Sequence, residues 1–377
     1  MKKLLFILND LQYGGTEQVL IDVLQHFDES FDLSLCLIER RDELIEYIPS
    51  CVKIIRYNHF PFYKYIRRAC NHYNVIPVWF FLERISFSFF MARRKFDSVV
   101  SWKEGESALF HSFIFHRKNQ KNITWIHTNL SLNHWTMFWV YNNKTALEQK
   151  IYRNKHLSNL IFVSQSQKSC FQTLYPDACP TQSVIYNLID KDHIIQKSQQ
   201  FEVPKRQFTI CCIGRLSIEK RIDKAMQAAK ELKERGYSFE LWIVGGGFCY
   251  EELTAMIDRL DLTDCVKMLG YQPNPFPYLK AADVLLLTSD TESFSLVLCE
   301  ALCLSKPVVS TPTFGPVELL ERKYGIISAF DVSSIANCLA ELMIDKDLYA
   351  NLSELSLQRA SQLFDVEKTM QQIYELL

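Results

Sequence analysis

A chain of 377 residues with 48% apolar and 23% charged side chains is too apolar for a disordered segment and too long for one ordinary domain, so two domains with separate cores are expected. The net charge of −1 conceals an asymmetry, because residues 51–156 carry 17 Lys and Arg against 5 Asp and Glu while residues 201–377 carry 18 against 25. Twelve cysteines contain no Cys-x-x-Cys pair, and Cys211, Cys212, Cys299 and Cys303 lie in apolar runs, which reads as reduced, core-forming thiols rather than a disulfide scaffold.

The first ten residues mimic a leader peptide, but the apolar stretch runs only from Leu4 to Leu8 and no small-residue cleavage site follows, so a buried first strand is expected. Strand-like runs then recur at Lys3–Leu8, Leu33–Ile38, Val52–Ile55, Ser98–Ser101, Ile123–Ile126, Leu160–Val163 and Ser183–Ile185. A second series follows at Phe208–Ile213, Phe239–Val244, Val266–Leu269, Val284–Leu287, Val308–Ser310 and Ile326–Ile327. Longer stretches of helical period separate them, and such alternation builds parallel α/β sheets. The stretch Val75–Ala92 is aromatic and apolar but is interrupted by Glu83 and Arg84, which excludes a membrane span. Apolar runs stop at 190–205, where Gln196-Lys197-Ser198-Gln199-Gln200 leads to Pro204, and the interdomain linker is placed there. The expected domains are 1–190 and 191–364; the tail 365–377 is helical in pattern and suits a return to the first domain.

Chemistry-bearing motifs stand at strand ends. Tyr13-Gly14-Gly15-Thr16-Glu17 follows the first strand and opens a helix, whose free N–H groups suit an anion; a purely steric turn is the alternative. Gly214-Arg215-Leu216, with Lys220, offers two cations to a diphosphate, or else two solvated charges. Val244-Gly245-Gly246-Gly247 reads as a loop that a ligand or domain approaches closely. In the run from Thr288 to Ala301, Glu292 occupies a turn, Ser293-Phe294-Ser295-Leu296 opens a helix suited to phosphate oxygens, and Glu300 suits a ribose diol; a cap and a surface salt bridge are the bland alternative. His127 ends a strand at its carboxyl edge and reads as a hydrogen-bonding site residue rather than a general base. Asp190-Lys191-Asp192 and Asp345-Lys346-Asp347 lack a preceding buried strand and read as surface charge, so no metal or other cofactor is expected.

The ordered set Gly14-Gly15-Thr16-Glu17, Trp125-Ile126-His127, Val184-Ile185-Tyr186-Asn187, Gly214-Arg215-Leu216 with Lys220, Val244-Gly245-Gly246-Gly247, and Glu292 with Glu300 resembles the family 4 retaining glycosyltransferases. The resemblance implies a GT-B fold, two Rossmann-like domains facing each other across a cleft. Arg215 and Lys220 would then hold the donor diphosphate, and Glu292 the donor sugar. Gly214, Gly245, Gly246 and the backbone of Ser293, Phe294, Ser295 and Leu296 would line the phosphates, and Glu300 would take the ribose. His127 would lie beside the transferred sugar, and Gly15 would let the first domain close. Ser293, Tyr186 and Leu188 depart from the usual Gly, Pro and Gly, which bears on donor preference and hinge geometry. UDP is the default donor nucleotide by resemblance.

The expected function is transfer of a sugar to a saccharide acceptor in bacterial surface polysaccharide synthesis, with a sugar-nucleotide epimerase or an inactive partner subunit as alternatives. Aromatic and basic residues interleave over 61–96, among them Trp79, Phe81, Arg84, Phe89, Arg93, Arg94 and Lys95, as in a helix lying on an anionic membrane. A lipid-linked acceptor and a cytoplasmic, peripheral location follow as expectations, against the alternative that the aromatic residues enter the core. No nucleic-acid motif accompanies the basic stretch.

Overall fold

The computed structural model describes residues 1–39, 41–57, 76–130, 151–179 and 181–377. Two compact units are present, 1–188 joined by 367–377, and 189–366.

In the first unit, seven strands form a sheet in the order β3-β2-β1-β4-β5-β6-β7: β1 Lys2–Leu8, β2 Phe31–Leu37, β3 Lys53–Arg56, β4 Ser98–Ser101, β5 Lys121–Ile126, β6 Asn159–Phe162 and β7 Gln182–Val184. In the second, six strands run β10-β9-β8-β11-β12-β13: β8 Phe208–Ile213, β9 Phe239–Val244, β10 Val266–Gly270, β11 Val284–Leu287, β12 Val308–Ser310 and β13 Ile326–Ile327. Every pairing is parallel. The central strands are buried on both faces, which is why they read as unbroken apolar runs rather than alternating ones. Strand order reverses between β1 and β4 and between β8 and β11. At such switch points the loops leaving the carboxyl ends diverge to opposite faces and leave a crevice.

The tail helix Val366–Leu376 packs on the first unit. Tyr374 stacks on Phe31 with centroids 5.2 Å apart and its hydroxyl donates to the His26 carbonyl at 2.8 Å. The Leu377 carbonyl accepts from Ser98 Oγ at 2.8 Å. The first half of the polar stretch 190–205 is helical, over Lys191–Ser198. Asp190 caps it by accepting from the His193 N–H at 2.9 Å, and Ile194 and Ser198 are buried. Its apolar face is one residue wide, too weak a periodic signal to separate from a loop.

The eleven described cysteines are free thiols, and burial pushes Cys212 and Cys303 up to about 12. No described helix is long and apolar enough to cross a membrane. The helix Ile76–Ala92 has two characters: Glu83, Phe87, Ser88 and Met91 are buried, whereas Phe81, Leu82, Ile85 and Phe89 are exposed, Phe89 at 73%. The core alternative therefore holds for Phe87 and not for Phe81 or Phe89. Residues 61–75 and the side chains of Val78, Trp79 and Phe80 lie outside the described residues.

Candidate functional site

At the β8–β11 switch point, three loops of the second unit are tied to one another. The short 3-10 turn Ile218–Lys220 is held by Thr288 Oγ1, which donates to the carbonyls of Lys220 and Arg221 at 3.0 and 2.8 Å, and by the Asp290 N–H, which donates to the Glu219 carbonyl at 2.9 Å. Arg221, in left-handed backbone at φ 50°, pairs with Asp223 and Asp290, and Lys224 adds a second cation on Asp290 at 3.2 Å. Thus anchored, Lys220 Nζ donates to Glu292 Oε1 at 2.5 Å, and Ser289 Oγ donates to the same oxygen at 2.9 Å. The sequence separates Lys220 from Glu292 by 72 residues; the strand order joins them. Arg215 is exposed just beyond β8.

The glycine loop has a steric reason that differs from the one expected. A Cβ on Gly245 would lie 1.9 Å from the Gly214 carbonyl oxygen, and one on Gly247 2.3 Å from the Leu216 carbonyl oxygen. The chain that approaches these glycines is therefore the loop after β8, fixed by Gly214 N–H to Val244 O at 3.0 Å and Leu216 N–H to Gly246 O at 2.8 Å. Gly246 has more room, with Tyr271 Cβ at 3.6 Å from an added methyl.

Below Glu292 the chain turns through Ser293 and Phe294 to Ser295, which adopts φ 76° and caps the helix Leu296–Cys303. The Ser295 hydroxyl is buried without a partner among the described residues, so its oxygen and the adjoining N–H groups of the first turn stand as polar groups at a helix start. Glu300 lies on this helix, half-buried, next to Cys299 and Cys303. Sequence reasoning passed over Gly315. Its N–H donates to the Glu292 carbonyl at 2.9 Å, and a Cβ there would meet the Phe294 carbonyl oxygen at 2.5 Å, so it holds the whole turn in place.

In the first unit, His127 follows β5 and is buried between Trp102, 5.4 Å away by ring centroids, and the Glu104 carboxylate. Burial, then the Lys103 cation, pushes His127 down to about 3, so its imidazole is neutral at physiological pH. Lys103 donates to Glu17 at 3.1 Å at the head of the helix Gly15–Gln25. Gly15 is exposed at that helix start, and Gly14 before it is extended at φ −165°, so neither needs the left-handed region. Lys103, Glu104 and Asp10 were not among the expected residues. The signal available was position: Trp102-Lys103-Glu104-Gly105 follows a buried strand as every other motif does.

Among the described residues, no group of three His, Cys, Asp or Glu side chains could hold a metal ion. Both Asp-x-Asp sequences begin helices, Asp190 as described and Asp345 by accepting from the Leu348 N–H at 2.8 Å.

Residues 194–359 match the model of the family described as glycosyl transferases group 1. Arg215, Lys220, Glu292 and Glu300 all stand within that stretch, while His127 and Glu104 belong to the first unit. Over 361 residues the chain is 26% identical to the N-acetylgalactosamine-N,N'-diacetylbacillosaminyl-diphospho-undecaprenol 4-alpha-N-acetylgalactosaminyltransferase of Campylobacter jejuni, covering 88% of this chain and 87% of that one. A glycosyltransferase assigned to colanic acid biosynthesis in Salmonella typhimurium is 28% identical over 53% of this chain; the chain spans 52% of that relative's length. Among solved structures, Anabaena HepE in complex with UDP-glucose has a TM-score of 0.76 at 22% identity, covering 100% of this chain and 99% of that one. At that identity the likeness is one of fold, two Rossmann-like α/β units of GT-B type.

Proposed function

We propose that the protein is a retaining glycosyltransferase that moves a sugar from a UDP-sugar to a saccharide acceptor, lipid-linked, in bacterial surface polysaccharide synthesis. The observation that carries this reading is the β8–β11 switch point, where Lys220, Glu292 and the start of the helix Leu296–Cys303 are brought together inside the stretch that matches the glycosyl transferases group 1 model. Arg215 and Lys220 would stabilise the departing diphosphate with the helix N–H groups, Glu292 and His127 would meet the transferred sugar, and Glu300 the ribose. With cations and N–H groups in that role, no metal is required. The lipid-linked acceptor is supported by the undecaprenol-linked substrate in the Campylobacter relative's name, and the UDP donor by the HepE complex. The exposed stripe Phe81, Ile85 and Phe89, with Arg84 beside it and Arg93, Arg94 and Lys95 following, supports peripheral docking on an anionic membrane.

Purified protein incubated with UDP-glucose, UDP-galactose or UDP-N-acetylglucosamine tests this, with and without an undecaprenyl-diphosphate saccharide and with EDTA throughout. Acceptor-dependent release of UDP with an α-anomeric product is expected. Conversion of the donor without acceptor would instead mark an epimerase, and strict dependence on added divalent metal would refute the metal-free mechanism.

A further inference from the structure

A pocket of about 700 Å³ lies in the first unit, within the range of about 300–1,000 Å³ usual for built small-molecule sites. It is lined by β5 through Asn122 and Thr124, by the helix Ile76–Ala92 through Ile85 and Phe89, and by the segments 113–116 and 151–157 on either side of β5 in the chain. These are the segments that feed β5 and β6 at their amino ends, whereas His127 leaves β5 at its carboxyl end. From Asn122 to His127 is about 16 Å of extended chain, at ~3.3 Å per residue.

The polar side chains of the lining are already bonded within the protein. Ser88 Oγ donates to the Phe113 carbonyl and Ser112 Oγ to the Leu109 carbonyl, both at 2.6 Å. The His111 ring is bonded at both nitrogens, to Ser101 Oγ and to Asn122 Oδ1, each at 3.1 Å. Asn122 Nδ2 donates to His116 Nδ1 at 3.0 Å and to the His156 carbonyl at 3.2 Å, and Thr124 Oγ1 lies 2.8 Å from Ser101 Oγ. A guest therefore gains little by hydrogen bonding there and much by burying hydrocarbon. Phe81, Phe89 and Phe115 also line the pocket and are 60%, 73% and 61% exposed, an apolar cluster rather than scattered surface residues.

The charge at this pocket has one sign. Arg84 and three histidines line it and, among the described residues, no Asp or Glu does. His116 and His156 stack with ring centroids 4.1 Å apart, and Lys118 and Lys155 stand exposed within two residues of them. Apolar walls with a cationic surround complement an amphiphile, a hydrocarbon chain ending in an anionic group.

We propose that this pocket takes one acyl chain of an anionic phospholipid, with the lipid phosphate meeting Arg84 and the His116 and His156 pair. The occupant is a lipid that does not react, because the pocket stands at the opposite end of β5 from His127. A single lipid molecule in water should therefore bind, which separates the proposal from docking of the helix on a bilayer surface. Nor does it depend on the sugar-transfer reading.

Saturation-transfer NMR titrations of the full-length protein with hexyl, octyl and decyl phosphate, each below its micelle threshold, test this with no bilayer present. Each buried methylene is worth about fourfold in affinity, so octyl phosphate should bind roughly tenfold more tightly than hexyl phosphate. Octyl β-glucoside, with the same chain and a neutral head, should bind about fivefold more weakly than octyl phosphate. Ser112→Phe, which fills the pocket from its lining, should abolish binding of all four. Arg84→Glu should weaken octyl phosphate by about fivefold or more and leave octyl β-glucoside unchanged, a split that general loosening of the fold does not produce. Equal affinities for hexyl and octyl phosphate, equal affinities for the phosphate and the glucoside, or wild-type binding by folded Ser112→Phe would overturn the proposal. Geranyl phosphate bound tenfold more tightly than decyl phosphate would overturn it in favour of an isoprenoid lipid. Flotation of wild type on anionic liposomes without binding of the monomers would overturn the pocket and leave surface docking alone.

Discussion

Lowering the pH from 7 to 5 should loosen the first unit selectively, because two of its histidines are folded in as neutral rings. His111 is buried between Ser101 Oγ, 3.1 Å from Nδ1, and Asn122 Oδ1, 3.1 Å from Nε2, and burial pushes it from 6.5 down to about 4. His127 is pushed from 6.5 to about 3 by burial and then Lys103. Because both folded values lie below the unfolded one, the unfolded chain takes up protons first as the pH falls. The stability from keeping these rings neutral is complete above pH 6.5 and is lost as the pH drops toward 4 for His111 and 3 for His127. At pH 5 each has lost about one and a half pH units of linkage, about 2 kcal/mol, so the pair costs about 4 kcal/mol. Hydrogen exchange read by mass spectrometry, corrected for intrinsic rates, should show protection in β4 and β5 falling by about a thousandfold between pH 7 and 5. The second unit supplies the control, since His193 is the one histidine in residues 189–366, and β8 and β9 should lose far less. His111→Gln should remove about half of the pH dependence whatever it does at pH 7. Constant protection in β4 and β5, or equal loss in β8 and β9, would refute the reasoning.

Lys220→Ala should lower kcat by about a hundredfold or more while leaving the far-UV dichroism unchanged, and steady-state kinetics matching wild type would remove Lys220 from the site. Gly214 and Gly245 share φ 148°, but an added Cβ meets nothing within 4 Å at Gly214 and a carbonyl oxygen at 1.9 Å at Gly245. Urea unfolding should therefore show about 1–2 kcal/mol lost in Gly214→Ala and roughly 3 kcal/mol or more in Gly245→Ala; equal losses would show that the collision relaxes freely. For the outward helix, flotation with liposomes containing anionic lipid at low salt should capture wild type and lose the variant with Arg93, Arg94 and Lys95 all changed to Glu. Failure of wild type to float would defeat membrane docking.

The thirteen strands among the described residues were legible in the chain itself, their ends displaced by at most two residues, because a parallel strand covered on both faces must be apolar throughout and must stop at turn-forming residues. The motifs at their carboxyl ends were legible for the same reason: a glycine or a charged residue directly after such a run is conspicuous. Composition could not say which aromatic side chains of Ile76–Ala92 face inward, since Phe87 is buried and Phe89 exposed by the packing of neighbouring elements rather than by residue type. Nor could it show that Gly315 seats the Glu292 turn, because that contact is between backbones of two different loops. Glu104 is the sharpest case. A lone glutamate reads as a solvated charge, and it is buried here because the parallel order sets the loops after β1, β4 and β5 side by side, so that His127 meets its carboxylate and Glu17 meets its neighbour Lys103. Local pattern determined which segments are strands; the strand order, a property of the assembled sheet, decided which charges meet.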